Sequence, residues 1–167
     1  MKLSDTLAKA FDEQITLELQ AAHVYRQLAI EMEAQDLPGM ASWFQAQSSE
    51  ELEHADTFTD HALDRDNHPR IGALQGPDLV ISTPLDAFQA ALAHEEKVSA
   101  AIRELYRKAR EDDDIDSLPL LHWFLEEQIE EESTVREIIG RLEKVSEDPS
   151  GFLQIDAELG DRNGDDT

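Results

Sequence analysis

The sequence predicts an all-α protein, a four-helix bundle with a long crossover between the second and third helices and a short fifth helix at the C-terminus. Four long stretches repeat apolar residues at helical spacing. Leu, Ala, Glu, Gln and Arg, which favour helices, dominate them. Residues 64–82 are irregular and too long for a turn between adjacent antiparallel helices, so they predict a crossover between two helical hairpins.

Composition narrows the class of protein. A chain of 167 residues suits one domain with a sizeable core. The net charge is −24, from 38 acidic and 14 basic residues, which repels nucleic acid and anionic membranes and attracts cations. Solubility or adaptation to a salty cytoplasm explains this charge equally well. Cysteine is absent, which excludes disulfides, zinc–thiolate sites, iron–sulfur clusters and thiol nucleophiles.

The chain ends predict location and domain limits. The N-terminal residues turn polar at once and lack the apolar core of a signal peptide, and no apolar run is long enough to span a bilayer. We therefore expect a soluble, cytoplasmic protein. One domain is predicted over residues 1–160, followed by a disordered acidic tail over 161–167.

The first two helices form the first predicted hairpin. Ser4 or Asp5 can cap a helix that runs to about Asp36. A turn leads into a second helix from about Pro38 to Leu63. The buried face of the first helix contains Phe11, Ile15, Glu18, Ala22, Tyr25, Ala29 and Met32, and that of the second contains Met40, Phe44, Gln47, Glu51, His54 and Phe58.

The second hairpin follows the crossover. Thr83-Pro84 and Asp86 predict a third helix that runs to about Arg110. Residues 111–116 form an acidic turn, and Ser117 is expected to cap the fourth helix. Residues 148–151 then break the chain before a short fifth helix over 152–159, which must dock on the bundle or on a neighbouring subunit. The buried faces contain Phe88, Leu92, Glu95, Ser99, Ile102 and Tyr106 in the third helix, and Leu121, Phe124, Gln128, Glu131, Val135, Ile138 and Leu142 in the fourth.

Each long helix carries one acidic residue on its apolar face. These are Glu18, Glu51, Glu95 and Glu131. A lone buried carboxylate is costly, and counting turns from the helix starts places all four near mid-height. Two divalent ions would neutralise the four negative charges, which predicts a dinuclear metal site inside the bundle.

Glu51-x-x-His54 is the sharpest local motif. Positions i and i+3 share a helix face, and a carboxylate with an imidazole suits iron, manganese or zinc. Alternatively, His54 is a hydrogen-bonded core histidine and the other glutamates lie on solvated faces. Glu131 is the most open to that alternative, because it lies in a run of three glutamates.

Longer matching segments accompany these residues, and with them the chain resembles the prokaryotic non-haem ferritins over about residues 12–159. The segments are 12–18 (DEQITLE), 50–54 (EELEH), 94–95 (HE) and 123–131 (WFLEEQIEE). The resemblance implies iron storage and detoxification in a hollow cage of 24 subunits. Fe(II) would be oxidised by O2 or H2O2 at a diiron ferroxidase centre within the bundle and stored as ferric oxyhydroxide.

The resemblance also implies roles for individual residues. Glu18, Glu51 and His54 would hold one iron, with Glu51 bridging. Glu95 and Glu131 would complete the second, with Gln128 close by. A third iron site would use Glu50, Glu127 and Glu130. Tyr25 matches the tyrosine next to the centre, which could donate an electron or a hydrogen bond or simply pack in the core, and Trp123 is expected to pack.

Two departures separate the chain from bacterioferritins, which carry a second E-x-x-H on the fourth helix and a haem-ligating methionine. Here the fourth helix has Gln128-x-x-Glu131, and Leu52 lies inside Glu51-x-x-His54. No haem is therefore expected. The acidic turn, Asp112, Asp113, Asp114 and Asp116, either attracts Fe(II) near a symmetry axis or is simply solvated.

Three rival classes share the predicted bundle. A rubrerythrin-like diiron peroxidase usually needs an iron–sulfur module, against which the lack of cysteine argues. A DNA-protecting miniferritin binds iron between subunits, which a ligand set within one bundle opposes. A structural or passive metal-binding bundle would require the four glutamates to be misplaced.

Overall fold

The computed structural model describes residues 1–161 and contains five α-helices with no strand among those residues. They are α1 (Asp5–Glu33), α2 (Pro38–Asp64), α3 (Pro84–Glu111), α4 (Leu118–Lys144) and α5 (Pro149–Asp161). The predicted fold class is confirmed. Within the described residues, no helix combines the length and apolar character needed to cross a membrane.

The ends of α1 follow local sequence signals. The hydroxyl of Ser4 caps the helix by accepting a hydrogen bond from the backbone N–H of Leu7 at 3.1 Å. The helix ends at Glu33, three residues before the predicted end. Asp36 has a positive φ of 58°, so it belongs to the turn into α2 rather than to the helix.

The crossover over residues 65–83 runs along α1. Three α1 side chains one turn apart accept hydrogen bonds from its backbone N–H groups, at 2.8–2.9 Å. The chain therefore returns along the bundle before α3 begins, which makes α2 and α3 parallel, as predicted. The bonds join Asp12 to Arg70, Thr16 to Gly72 and Gln20 to Gln75.

The start of α4 differs in detail from the prediction. Ser117 precedes the helix but makes no side-chain capping bond. Its hydroxyl donates to Asp114 at 2.5 Å and accepts from the guanidinium of Arg65 at 3.1 Å. Arg65 is only 8 % exposed, and Asp114 binds it at 2.6 and 3.3 Å. Leaving a buried guanidinium unpaired would destabilise the fold more than losing a helix cap. Asp114 is thus a structural residue of the acidic turn.

The fifth helix is longer than predicted. It begins at Pro149 rather than Phe152, because a proline is tolerated in the first turn, so residues 149–151 are not a break. The helix docks on the bundle: the Asp156 carboxylate accepts the backbone N–H of Met40 at 2.7 Å, at the start of α2. Asp161 is the last residue of α5, and residues 162–167 of the predicted tail lie outside the described part of the chain.

The core consists of two apolar clusters with a polar layer between them. One cluster surrounds Tyr25, Phe44 and Phe88, and the other surrounds Phe11 and Phe58. On α1, Glu18 lies between Ile15 of one cluster and Tyr25 of the other. The bundle therefore positions its buried acids at mid-height.

Candidate metal centre

All four predicted glutamates are buried. Glu18 and Glu95 are 0 % exposed, Glu51 is 1 % exposed and Glu131 is 8 % exposed. Glu131 is therefore inside the bundle despite its acidic neighbours in sequence. The interpretation that these residues lie on solvated faces does not hold.

Glu18, Glu51 and His54 form a compact group. One potential ligand atom from each lies within 4.8 Å of the other two. The Oε2 atoms of both glutamates and Nδ1 of His54 are buried without a hydrogen-bond partner, and Nδ1 is 3.4 Å from Oε2 of Glu51. Buried polar atoms are rarely left unpaired. A cation bound between these three side chains would satisfy all three atoms, so the residues present fit a metal ion.

Glu95 and Glu131 lie on the α3–α4 side of the layer and are held by neutral donors. The Tyr25 hydroxyl donates a hydrogen bond to Glu95, and Gln128 donates to its Oε2 at 3.0 Å. Gln47 donates to Oε2 of Glu131 at 2.9 Å. Among residues 1–161, these two glutamates do not join a third residue in a group as compact as that of Glu18, Glu51 and His54.

Electrostatics link the four acids. Burial raises the pKa of both Glu18 and Glu51 well above the ordinary range. The negative charge of Glu51 raises the pKa of Glu18 further, and that of Glu95 raises the pKa of Glu51 further. Burial also raises the pKa of Glu95. The pKa of Glu131 rises to about 8 through burial and then through the charges of Glu95 and Glu50. A divalent ion would reverse this repulsion and favour the ionised carboxylates.

Tyr25 is fully buried against this layer. Burial, followed by the charge of Glu95, raises its pKa well above the ordinary value, so the phenol keeps its proton and donates to Glu95. Its ring also packs edge-on against Trp43, with 6.4 Å between ring centroids. Tyr25 thus both donates a hydrogen bond to Glu95 and packs in the core.

Two glutamines complete the layer without having been predicted to act in it. Gln14 donates to Oε1 of Glu18 at 2.7 Å, and Gln47 donates to Glu131. Three of the four glutamates thus each receive one side-chain amide, the third amide being that of Gln128. The spacing of Gln14 four residues before Glu18 was the available signal, since such residues are neighbours on a helix.

The predicted third site is only partly assembled. Glu50, His54 and Glu127 bring ligand atoms within 4.8 Å of one another, so His54 belongs to both groups. Glu130 is exposed and lies outside this second group. Trp123 packs edge-on against the His54 ring at 5.9 Å between centroids, as the packing prediction requires, although 42 % of it remains exposed.

Comparison with known proteins agrees with this architecture. Residues 8–145 match the family model described as a ferritin-like domain. The chain is 32 % identical over 163 residues to the bacterial non-heme ferritin of Staphylococcus aureus strain USA300, covering 98 % of each chain. The protein of Staphylococcus epidermidis with the same description is 32 % identical over 161 residues, covering 96 % of this chain and 97 % of that one.

Solved structures give the same result. The open-pore ferritin of the hyperthermophilic archaeon Archaeoglobus fulgidus superposes with a TM-score of 0.92 at 30 % identity, covering 95 % of this chain and 96 % of that one. The chain therefore belongs to the ferritin family. Its sequence is similar to bacterial non-heme ferritins, and membership of the ferritin family supports iron binding and iron storage.

Proposed function

We propose that this ferritin oxidises Fe(II) at a dinuclear centre within each bundle and stores the product as ferric oxyhydroxide. Family membership supports iron storage. Two observations on Glu18, Glu51 and His54 carry the catalytic part: their ligand atoms lie within 4.8 Å of one another, and each side chain has a buried polar atom without a hydrogen-bond partner. A site built of oxygen ligands and one imidazole suits iron.

Each metal position would use a different part of the layer. Glu18, Glu51 and His54 would hold the first ion, and Glu51 would be shared with the second. Glu95 and Glu131 complete the second position, near Gln128. Carboxylates favour the harder Fe(III) over Fe(II), which makes oxidation at this site easier.

The reaction balances with small oxidants. Two Fe(II) ions each lose one electron, and O2 takes both with two protons to give H2O2. Where H2O2 is the oxidant, the two electrons and two protons break its O–O bond to give two waters. Protons leave the glutamates as the ions bind, because burial has raised the pKa of these carboxyls. Tyr25 orients Glu95 throughout by its phenolic hydrogen bond.

The product needs a path out of the centre and a place to collect. Glu50, His54 and Glu127 form a half-buried group beside the first position, and exposed Glu130 follows on the same helix. These residues are proposed to take a third iron and pass Fe(III) outward. The proposed assembly is a cytoplasmic homo-oligomeric cage of 24 copies. Carboxylates other than the proposed diiron ligands would nucleate the mineral inside it. The proposed cage does not bind haem.

Native mass and oxidation kinetics test the proposal together. A cage has a native mass of about 450 kDa, since one chain weighs 18.8 kDa. Fe(II) added aerobically should be oxidised rapidly by the wild type. Glu51→Ala should slow this rapid oxidation by roughly 100-fold. Loss of residues that only support metal ligands lowers activity about 10- to 100-fold, and loss of a ligand should cost at least as much.

Glu53→Ala is the matched control, because Glu53 is exposed on the same helix and should leave the rate unchanged. A small oligomer with no oxidation above the buffer background would refute the proposal. Equal rates for Glu51→Ala and wild type would place the oxidation elsewhere.

A further inference from the structure

A groove lies between α1 and α3. Its volume is about 230 Å³. Four of its wall residues are apolar, two from each helix: Ala10, Leu17, Ala101 and Leu105. The remaining lining residues are Glu13, Gln14, Glu104 and Lys108.

Gln14 links the lining of this groove to the polar layer. Its side chain is 3 % exposed, and its amide donates to Glu18 at 2.7 Å. The groove therefore comes within one hydrogen bond of a proposed ligand. A larger cleft of about 470 Å³ lies under the crossover, but none of the described residues lining it hydrogen-bonds to one of the four glutamates.

The charges around the groove do not favour a cation. Glu13 lies 3.8 Å from the ammonium of Lys9, and Glu104 lies 3.3 Å from the guanidinium of Arg107. Lys108 adds a further positive charge to the lining. In a chain with 38 acidic and 14 basic residues, this is a locally balanced surface. It would not concentrate Fe(II), whereas acidic surfaces elsewhere on the chain would.

We propose that this groove admits the small neutral oxidant, O2 or H2O2, to the metal centre, while Fe(II) arrives by another path. Apolar pockets in proteins accept small uncharged molecules. Four of the eight lining residues here are apolar, and each of the two lining glutamates has a basic side chain within 4 Å. The inference rests on the proposed ferroxidase function. It adds a separate entrance for the second substrate, with Gln14 between that entrance and Glu18.

Filling the groove from the α3 wall tests the route. Ala101 is half-buried and lines the groove, so Ala101→Leu and Ala101→Phe narrow it in two steps. Ala90→Phe is the matched control, since Ala90 is half-buried on the same helix but packs against the other apolar cluster. Thermal unfolding and native mass identify any variant that fails to fold or assemble. If Ala101→Phe fails, the smaller Ala101→Leu change still tests the route.

Three rates are measured by stopped flow. The first two are the oxidation of anaerobically loaded Fe(II) by limiting O2 and its oxidation by limiting H2O2. The third is the association of Co(II) in the absence of an oxidant. The second-order rate constant for oxidation should fall in the order wild type, Ala101→Leu, Ala101→Phe, reaching about tenfold for phenylalanine. Co(II) association should stay unchanged, and Ala90→Phe should match wild type. A loss with only one oxidant assigns the groove to that oxidant.

Unchanged oxidation in both Ala101 variants would overturn the route while leaving the ferroxidase function intact. Equal slowing of Co(II) association would also overturn it, because the groove would then carry the cation. A wild type that binds Co(II) but oxidises no Fe(II) would overturn the proposed function itself, and the route with it.

Discussion

Gln47 on α2 donates a hydrogen bond to Glu131 on α4 at 2.9 Å, across the middle of the bundle. Gln47 is 5 % exposed and lies on the same helix face as Glu51, one turn away. A neutral amide thus holds the carboxylate whose pKa is raised to about 8 by burial and by the charges of Glu95 and Glu50. The bond connects the two helical hairpins directly at the polar layer between the apolar clusters.

Removing this amide should weaken one metal position selectively. Gln47→Ala frees Glu131 to rotate and leaves it without its neutral donor, so affinity at the second position should fall about 10- to 100-fold. Calorimetric titration with Co(II) should show one weakened class of site and one unchanged class. Gln45→Ala, on the exposed face of the same helix, is the control. Equal weakening of both classes, or of neither, would contradict a role confined to Glu131.

The raised pKa of Glu131 predicts how metal-free stability depends on pH. The folded protein keeps a proton on this carboxyl up to about pH 8, whereas the unfolded chain releases it near the ordinary value of 4.5. Between these values the folded state binds more protons, so stability falls as pH rises, by up to about 1.4 kcal/mol per pH unit for this group. Above about pH 8 the contribution is constant.

Thermal unfolding in the presence of a chelator checks this sign. The melting temperature should decline from about pH 5 to pH 8, and the neighbouring glutamates with raised pKa values act in the same direction. Glu131→Gln should show a shallower decline, because its side chain does not titrate. Co(II) should reduce the decline in the wild type, since the ion favours the ionised carboxylates. Parallel profiles for wild type and Glu131→Gln would contradict the assignment.

Gly39 determines how closely α5 docks on α2. A Cβ atom at this position would lie 1.8 Å from the backbone oxygen of Asp156. Gly39→Ala should therefore displace α5 and disturb the Asp156 bond to the Met40 N–H, destabilising the protein by about 1–3 kcal/mol. Chemical denaturation gives the loss, and faster proteolysis near the C-terminus should accompany it.

Gly140→Ala is the matched control for that experiment. Nothing lies within 4 Å of a Cβ at Gly140, within α4. The substitution should stabilise the helix by about 0.5–1 kcal/mol, because glycine is unfavourable in helices. Similar destabilisation by both substitutions would contradict the role of Gly39 in the close packing of α5 on α2.

The fold was predictable because each signal was local or periodic. The apolar faces of α1 to α4 repeat at helical spacing, and the length of the crossover implied its topology. The errors lie at helix ends, where tertiary contacts compete with local preference. Ser117 hydrogen-bonds to Asp114 and Arg65 instead of capping α4. Pro149 begins α5 where a break in the chain was expected.

The candidate site was predictable in outline for a different reason. Acidic residues on apolar faces stand out against the pattern, and Glu18, Glu51 and Glu95 are all buried as expected. Their partners were harder to find, because a glutamine on a buried face carries no comparable signal. The bond from Gln47 to Glu131 joins residues 84 positions apart, and only the packed bundle brings them together.

We propose above all that one bundle holds two metal ions between its four buried glutamates and His54. Crystals loaded anaerobically with Fe(II) and measured at the iron absorption edge test it most directly. Two anomalous peaks per subunit are expected inside the bundle, one bonded to Glu18, Glu51 and His54 and one to Glu51, Glu95 and Glu131. Anomalous density confined to surface carboxylates, with none in the buried layer, would contradict it.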